Sequence, residues 1–169
     1  MRRLTSWLLA AAVGLAAAAP APALASRPTV QWKTVEAPAG DMHDRLVRTL
    51  KSMLSQAARK ADFGKKTKSV VLSARILSFT SVTKGDVHHV TCTLVGRVVG
   101  GATARSHISF GGRPEERAAL EKQVLTMVAN GVVGRLADIV RNRAAAEERA
   151  AKKAREEKER GGKDGDDDG

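Results

Sequence analysis

The chain has 169 residues, which is enough for one modest domain and too short for two. Hydrophobic residues make up 43% of it but aromatic residues only 3%, and Tyr is absent, so an aromatic-rich core is excluded. The formal net charge is +11, and residues 26–143 account for it, with 20 basic and 9 acidic side chains.

The first 25 residues have the pattern of a signal peptide. Arg2 and Arg3 precede a short apolar run, and Ala23 and Ala25 supply the small residues that signal peptidase requires. We therefore predict export with cleavage before Ser26, to the periplasm or the medium, and a mature chain without a transmembrane span.

A weak strand and a helix follow the predicted cleavage site. Residues 29–35 alternate weakly, which indicates a fourth strand at an edge of the sheet or between its members. Asp41 is a plausible N-cap for a helix that ends near Gly64. The helix carries a narrow apolar stripe for docking on the sheet, formed by Met42, Leu46, Leu50, Met53, Leu54, Ala57 and Ala61.

Residues 69–110 predict an antiparallel meander of three strands. Apolar side chains occupy even positions and polar ones odd positions in all three runs, which indicates one buried and one solvated face. Three-residue loops at 84–86 and 100–102 would place Leu94 opposite both Ile76 and Ile108.

A second long helix is predicted after Pro114, with Gly131 and Gly134 in its interior, where close approach to the sheet or to the first helix would explain them. Residues 144–160 are rich in Ala and charged residues, and predict a solvated helical extension. Residues 161–169 predict a disordered acidic tail. The fold class is therefore α+β in the order β-α-β-β-β-α, with a three- to four-stranded antiparallel sheet and two helices on one face of a single domain at 26–143.

No catalytic, metal or cofactor site is indicated by the sequence. Cys92 has the parity of a buried strand residue, and His88 and His89 point to opposite faces, so at most one of them shares a face with Cys92. A small secreted hydrolase whose site forms only in three dimensions is the alternative to a non-enzymatic binding module.

The functional signal that remains is positive charge. Arg75, Arg97 and Arg105 share the outward parity, and the predicted second loop places Arg97 opposite Arg105, where like charges do not favour folding. The full set of anion-binding candidates adds one His and three residues of the connector, so that it comprises Arg75, Arg97, Arg105, His107, Lys65, Lys66 and Lys68.

We therefore predict a polyanion or a protein of the cell envelope as the partner. Nucleic acid is disfavoured by the predicted compartment and by the lack of aromatic side chains for stacking. The sequence leaves the oligomeric state open.

The order of a short strand, a helix, a three-strand meander and a long final helix over residues 29–143 resembles a family of bacterial envelope proteins. This is the small outer-membrane lipoprotein family that helps to insert and plug the lipopolysaccharide translocon. The chain has no Cys near the cleavage site, and so lacks the lipid-attachment residue of that family. The resemblance implies a non-enzymatic accessory of the envelope that binds lipopolysaccharide or a barrel partner.

Overall fold

A computed structural model describes residues 28–65 and 67–161, and at 159–161 it describes the backbone alone. The predicted signal peptide at 1–25, the candidate Lys66 and the acidic tail beyond Gly161 lie outside the described residues.

The described residues form a four-stranded sheet and two helices, which confirms the predicted α+β class and element order. The sheet has the order β1-β2-β3-β4, and β1 lies at its edge, parallel to β2, while the other pairs are antiparallel. The elements are β1 (Thr29–Glu36), α1 (His43–Lys60), β2 (Ser69–Lys84), β3 (Val87–Val98), β4 (Thr103–Gly112), a 3-10 turn (Pro114–Glu116) and α2 (Arg117–Gly161).

Helix α1 begins later than its sequence pattern indicates. Asp41 is not the N-cap, because the Gly40 carbonyl accepts a hydrogen bond from the His43 amide and closes a turn over Asp41 and Met42. Met42 takes the cap position without a side-chain hydrogen bond. The predicted apolar stripe does face the core, as shown by the buried residues Leu46, Leu50, Leu54 and Ala57.

The first hairpin differs from the prediction at two places that compensate each other. Its loop has two residues rather than three, because Lys84 pairs with Val87 and Gly85 adopts a φ of 58°. A β-bulge at Leu77 adds one residue to β2, so Ile76 still lies opposite Leu94 as predicted. Between the bulge and the turn, however, the parity of β2 is reversed.

The second hairpin is shifted by two residues from the predicted register. Arg97 pairs with Thr103, so Leu94 lies opposite Ser106, and Ile108 lies opposite Cys92. The Val98 amide donates to the carbonyl of Ala102 across the turn, so the loop consists of residues 99–101 in place of the predicted 100–102. An even shift keeps every side chain on its predicted face, which is why the alternation did not reveal it.

Both helices cover the inner face of the sheet, and α2 approaches it closely. On that face Gly96 of β3 is paired with Ala74 of β2 and Ala104 of β4, which makes a row of small residues under α2. A Cβ built on Gly131 of α2 would lie 3.0 Å from Ser106 Oγ, so close approach explains this glycine. A Cβ built on Gly134 would have no atom within 4 Å, so the packing of α2 does not explain Gly134.

One helical segment of the described residues, Pro114–Lys158, is long and apolar enough by composition to cross a membrane. Its apolar side chains include Val124, Val128, Val132 and Leu136, and all four are fully buried within the domain. The hydropathy of this segment therefore reflects its packing on the sheet.

Candidate functional site

The outer face of the sheet is the side that the two helices leave uncovered. Arg75, Arg97 and Thr103 are exposed there, while their neighbours Ala74, Gly96 and Ala104 are buried on the inner face. Hydroxyl groups form cross-strand hydrogen bonds on the outer face, including one of 2.9 Å between Thr91 Oγ1 and Ser109 Oγ. The predicted cationic, hydroxyl-rich face therefore exists and is accessible.

The three arginines cluster on this face, but not in the predicted arrangement. Arg97 is not opposite Arg105, because the shifted register of β4 pairs Arg97 with Thr103 and Arg105 with Val95. Arg75 of β2 is also paired with Val95, so Arg75 and Arg105 flank one β3 residue from both sides. Arg97 lies one outward position further along β3, on a diagonal to both.

Two of the arginines border a shallow depression of about 320 Å³. Its walls come from all four strands and include Thr34, Glu36, Ser73, Arg75, Val95, Arg97 and Thr103. Arg75 Nε lies 3.6 Å from Glu36 Oε2, and both side chains are largely exposed. The depression is lined by two arginines and one glutamate, so it has an excess positive charge. Arg105 lies beside the depression, because it is paired with the lining residue Val95.

Of the other predicted anion-binding residues, one lies near the arginines and the others lie away from them. His107 follows Arg105 by two residues on the outer face, where its Nδ1 lies 2.8 Å from Thr93 Oγ1. Lys68 precedes β2, about 17 Å along the chain from Ser73 at roughly 3.3 Å per residue, and Lys65 is further away in sequence. The structure therefore groups His107 with the arginines and leaves Lys65 and Lys68 outside the depression.

A polar cluster on the inner face was not found by sequence reasoning. The bulge at Leu77 turns Ser81 inward, where its Oγ donates to Glu121 Oε1 at 2.6 Å and lies 2.9 Å from His88 Nε2. Thr83 Oγ1 lies 2.7 Å from the other ring nitrogen of His88. A sequence signal for this was the odd position of Leu77 and Phe79, which breaks the even apolar pattern of β2.

Glu121 is the charged centre of this cluster. Its side chain is 7% exposed, and it accepts bonds from Arg45 at 2.7 Å and from Arg117 at 3.1 Å. Burial alone would raise its pKa, but the hydrogen bonds from Ser81 and Arg117 and the charge of Arg45 hold the pKa below its ordinary value. Glu121 is therefore a carboxylate that links β2, α1 and α2.

The Ser81, His88 and Glu121 side chains do not have the order of a hydrolase triad. In a triad the carboxylate orients the histidine, which then accepts the serine proton. Here the serine proton goes to Glu121, so the His88 Nε2–H donates to Ser81 and Nδ1 accepts from Thr83. His88 is 1% exposed, so the cluster is closed to a substrate in this conformation.

The remaining thiol and metal candidates are accounted for by burial and by spacing. Cys92 is fully buried, and burial raises the pKa of its thiol to about 12. His88 points inward and His89 outward, as the alternation predicts. Within residues 28–65 and 67–161, no group of three or more His, Cys, Asp or Glu side chains is placed to hold a metal ion.

A groove of about 550 Å³ runs between α1 and α2 on the side of the molecule opposite the open sheet face. Its lining includes Arg45, Glu121 and Lys122 at one end and Lys60 and Asn130 at the other. The groove was not predicted, because its walls come from helices that are more than fifty residues apart in sequence.

No model of a known protein family matches the chain, and no curated protein matches it. Among solved structures, the chain is similar to protein XCC0632 of Xanthomonas campestris, from the DUF330 family, with 17% identity and a TM-score of 0.45 over 76% of this chain and 93% of that one.

It is also similar to a protein of Caulobacter crescentus named provisionally as a lipoprotein, with 14% identity and a TM-score of 0.40 over 66% of this chain and 90% of that one. A third likeness is to a minor lipoprotein of Acinetobacter baumannii, with 14% identity and a TM-score of 0.33 over 70% and 94% of the two chains. None of the three is described as a lipopolysaccharide-assembly protein. At these scores the likeness assigns neither a family nor a function to this chain.

Proposed function

We propose that this protein is an exported binding module of the bacterial envelope, without catalytic activity, and that its open sheet face engages an anionic partner. The observation that carries the proposal is the placement of Arg75 and Arg97 around one depression, with Arg105 beside them. Strand pairing fixes the backbone positions of the three arginines on one face, which supports the proposal.

Phosphate-bearing envelope lipids fit this surface best. A guanidinium group can donate two parallel hydrogen bonds to a phosphate, and the neighbouring Thr34, Ser73 and Thr103 supply hydroxyl groups for further contacts. The excess positive charge of residues 26–143 attracts such a surface at longer range. Lipopolysaccharide and anionic phospholipid share this chemistry.

The test removes two of the arginines. We expect that Arg97→Ser with Arg105→Ser weakens binding to phosphatidylglycerol vesicles and to lipopolysaccharide, and flattens the salt dependence of binding. Folding stability should be unchanged or slightly higher, because the two arginines lie diagonal to one another on the sheet. Co-sedimentation at two ionic strengths measures the first effect, and urea unfolding measures the second.

The matched control is Arg48→Ser with Arg113→Ser, which removes the same charge from exposed positions outside the sheet face. If control and test variants lose binding equally, only net charge matters and the sheet site is wrong. Identical low-salt binding by the test variant and the parent would also reject it.

Export is tested separately, by sequencing the N-terminus of the protein recovered from the periplasm and the medium. We expect a mature chain that starts at or near Ser26. Recovery of an intact Met1 in the cytosol would contradict the envelope location.

The alternative function is a hydrolase, and the observation in its favour is the 2.9 Å distance between Ser81 Oγ and His88 Nε2. A fluorophosphonate probe that labels Ser81 in the native protein would support it. If the native protein is labelled no more than the urea-unfolded chain, Ser81 is not an activated nucleophile and the cluster is structural.

A further inference from the structure

The groove between α1 and α2 lies along two parallel helices. The helices run in the same direction, since Arg45 contacts Glu121 at one end, Met53 contacts Thr126, and the ion pair of Asp62 with Arg141 lies at the other end. From Arg45 to Lys60 the groove follows α1 for about 22 Å, at 1.5 Å per residue.

The groove has the size of a site for a small ligand. It encloses about 550 Å³ along this length of α1. The volume itself lies in the usual range for a small-molecule site, about 300–1,000 Å³.

The groove is lined by apolar side chains on its floor and by cationic side chains at its rim. The floor is made by Leu46, Met53, Ala57 and Leu125. Three cations line the groove, namely Arg45, Lys60 and Lys122, and Glu121 is its only acidic lining residue. Glu121 is already bonded to Arg45, Arg117 and Ser81, so it does not neutralise Lys122 or Lys60.

We propose that this groove binds a single-chain anionic amphiphile, such as a long-chain carboxylate or a lysophospholipid. The acyl chain lies along the floor over Met53 and Leu125, and the anionic head sits beside Lys122, which Glu121 does not neutralise. Charge complementarity and the apolar floor select this class of ligand over a neutral or a cationic one. The site goes beyond the proposed function, because it lies on the opposite side of the sheet from the arginine depression.

The acidic residues 162–169 of the same chain cannot occupy the groove. Along α2, Gly161 lies about 46 Å beyond Asn130, which is the last lining residue, at 1.5 Å per residue. Eight residues span at most about 29 Å when fully extended. An intramolecular occupant from this segment is therefore excluded by distance.

The test uses dansyl-undecanoic acid as the probe, below its micelle concentration, with the dansyl group excited directly. Gln56→Trp places an indole in the groove, and we expect it to weaken binding by about tenfold or more. Lys122→Gln removes one head contact and should weaken binding about two- to fivefold, with a smaller effect at high salt.

The controls make the same two kinds of substitution, Gln to Trp and Lys to Gln, at positions of α1 and α2 that lie outside the groove. Gln123→Trp on α2 and Lys51→Gln on α1 are exposed positions that do not line it, and both should leave the affinity within about twofold of the parent. Arg97→Ser with Arg105→Ser should also leave probe binding unchanged, so the groove and the sheet site can fail independently.

Three results would overturn the assignment. One is unchanged probe binding in a folded Gln56→Trp variant, and another is an equal loss in the control variants. The third is a protein that binds an extended acidic peptide in the groove but not the amphiphile. Circular dichroism and urea unfolding of each variant establish that a loss of binding is not a loss of fold.

Discussion

Gly96→Ala tests how closely α2 approaches the sheet. Gly96 is buried near the C-terminal end of β3, between Ala74 and Ala104, and an added Cβ would lie 2.4 Å from Val132 Cγ1 and 2.9 Å from Leu136 Cδ1. Carbon atoms in ordinary contact are about 3.5–4.0 Å apart, so side chains or the helix must move.

The expected magnitude is the difference between two opposing effects. Replacing Gly by Ala within a strand normally stabilises by about 0.5–1 kcal/mol, because the unfolded chain has less freedom to lose. Overpacking a filled core costs about 1–3 kcal/mol. Since two atoms of α2 would be contacted at once, we expect a net loss of about 1–2 kcal/mol in the free energy of unfolding.

Urea unfolding of parent and variant measures this loss, and an unchanged m-value shows that the surface exposed on unfolding is the same. Gly134→Ala is the control, because its Cβ meets nothing within 4 Å, and it should stabilise by up to about 1 kcal/mol. In a Val132→Ala background the cost of Gly96→Ala should fall by about 1 kcal/mol, since the nearest clashing atom is gone. A neutral or stabilising Gly96→Ala in the parent would refute the close packing.

Three further predictions address the core and the inner polar cluster. Leu94 is fully buried opposite Ile76, so Leu94→Ala should cost about 2–5 kcal/mol in urea unfolding, and a loss below about 0.5 kcal/mol would mean that its face is assigned wrongly. Glu121→Gln should cost about 1–3 kcal/mol at neutral pH. Because the pKa of Glu121 is lower when folded than its ordinary 4.5, this cost should shrink as the pH falls below about 4.5, and a cost independent of pH would contradict the bonded carboxylate. Cys92, with its pKa raised to about 12, should not react with iodoacetamide at mildly alkaline pH until urea unfolds the chain, and rapid labelling of the native protein would show that β3 is exposed.

The sequence by itself determined the element order, the inner stripe of α1 and the faces of the strands, except in the part of β2 that follows the bulge. These features follow from local periodicity, because alternation along a strand and helical spacing each depend on neighbouring residues only. Leu94 and Ile76 were placed correctly on the inner face, and Arg75, Arg97 and Arg105 on the outer one. The excess positive charge of the domain also follows from the sequence alone.

Only the tertiary structure decided the registers and the sites. Alternation reports parity, so it could not distinguish a three-residue loop from a two-residue turn with a bulge at Leu77, nor detect the two-residue shift of β4. Because of that shift, the cross-strand partner of Arg97 is Thr103 and not Arg105. The bulge turns Ser81 inward towards Glu121. The helix groove depends on which faces of α1 and α2 the sheet leaves exposed, and this is set by packing between residues far apart in the chain.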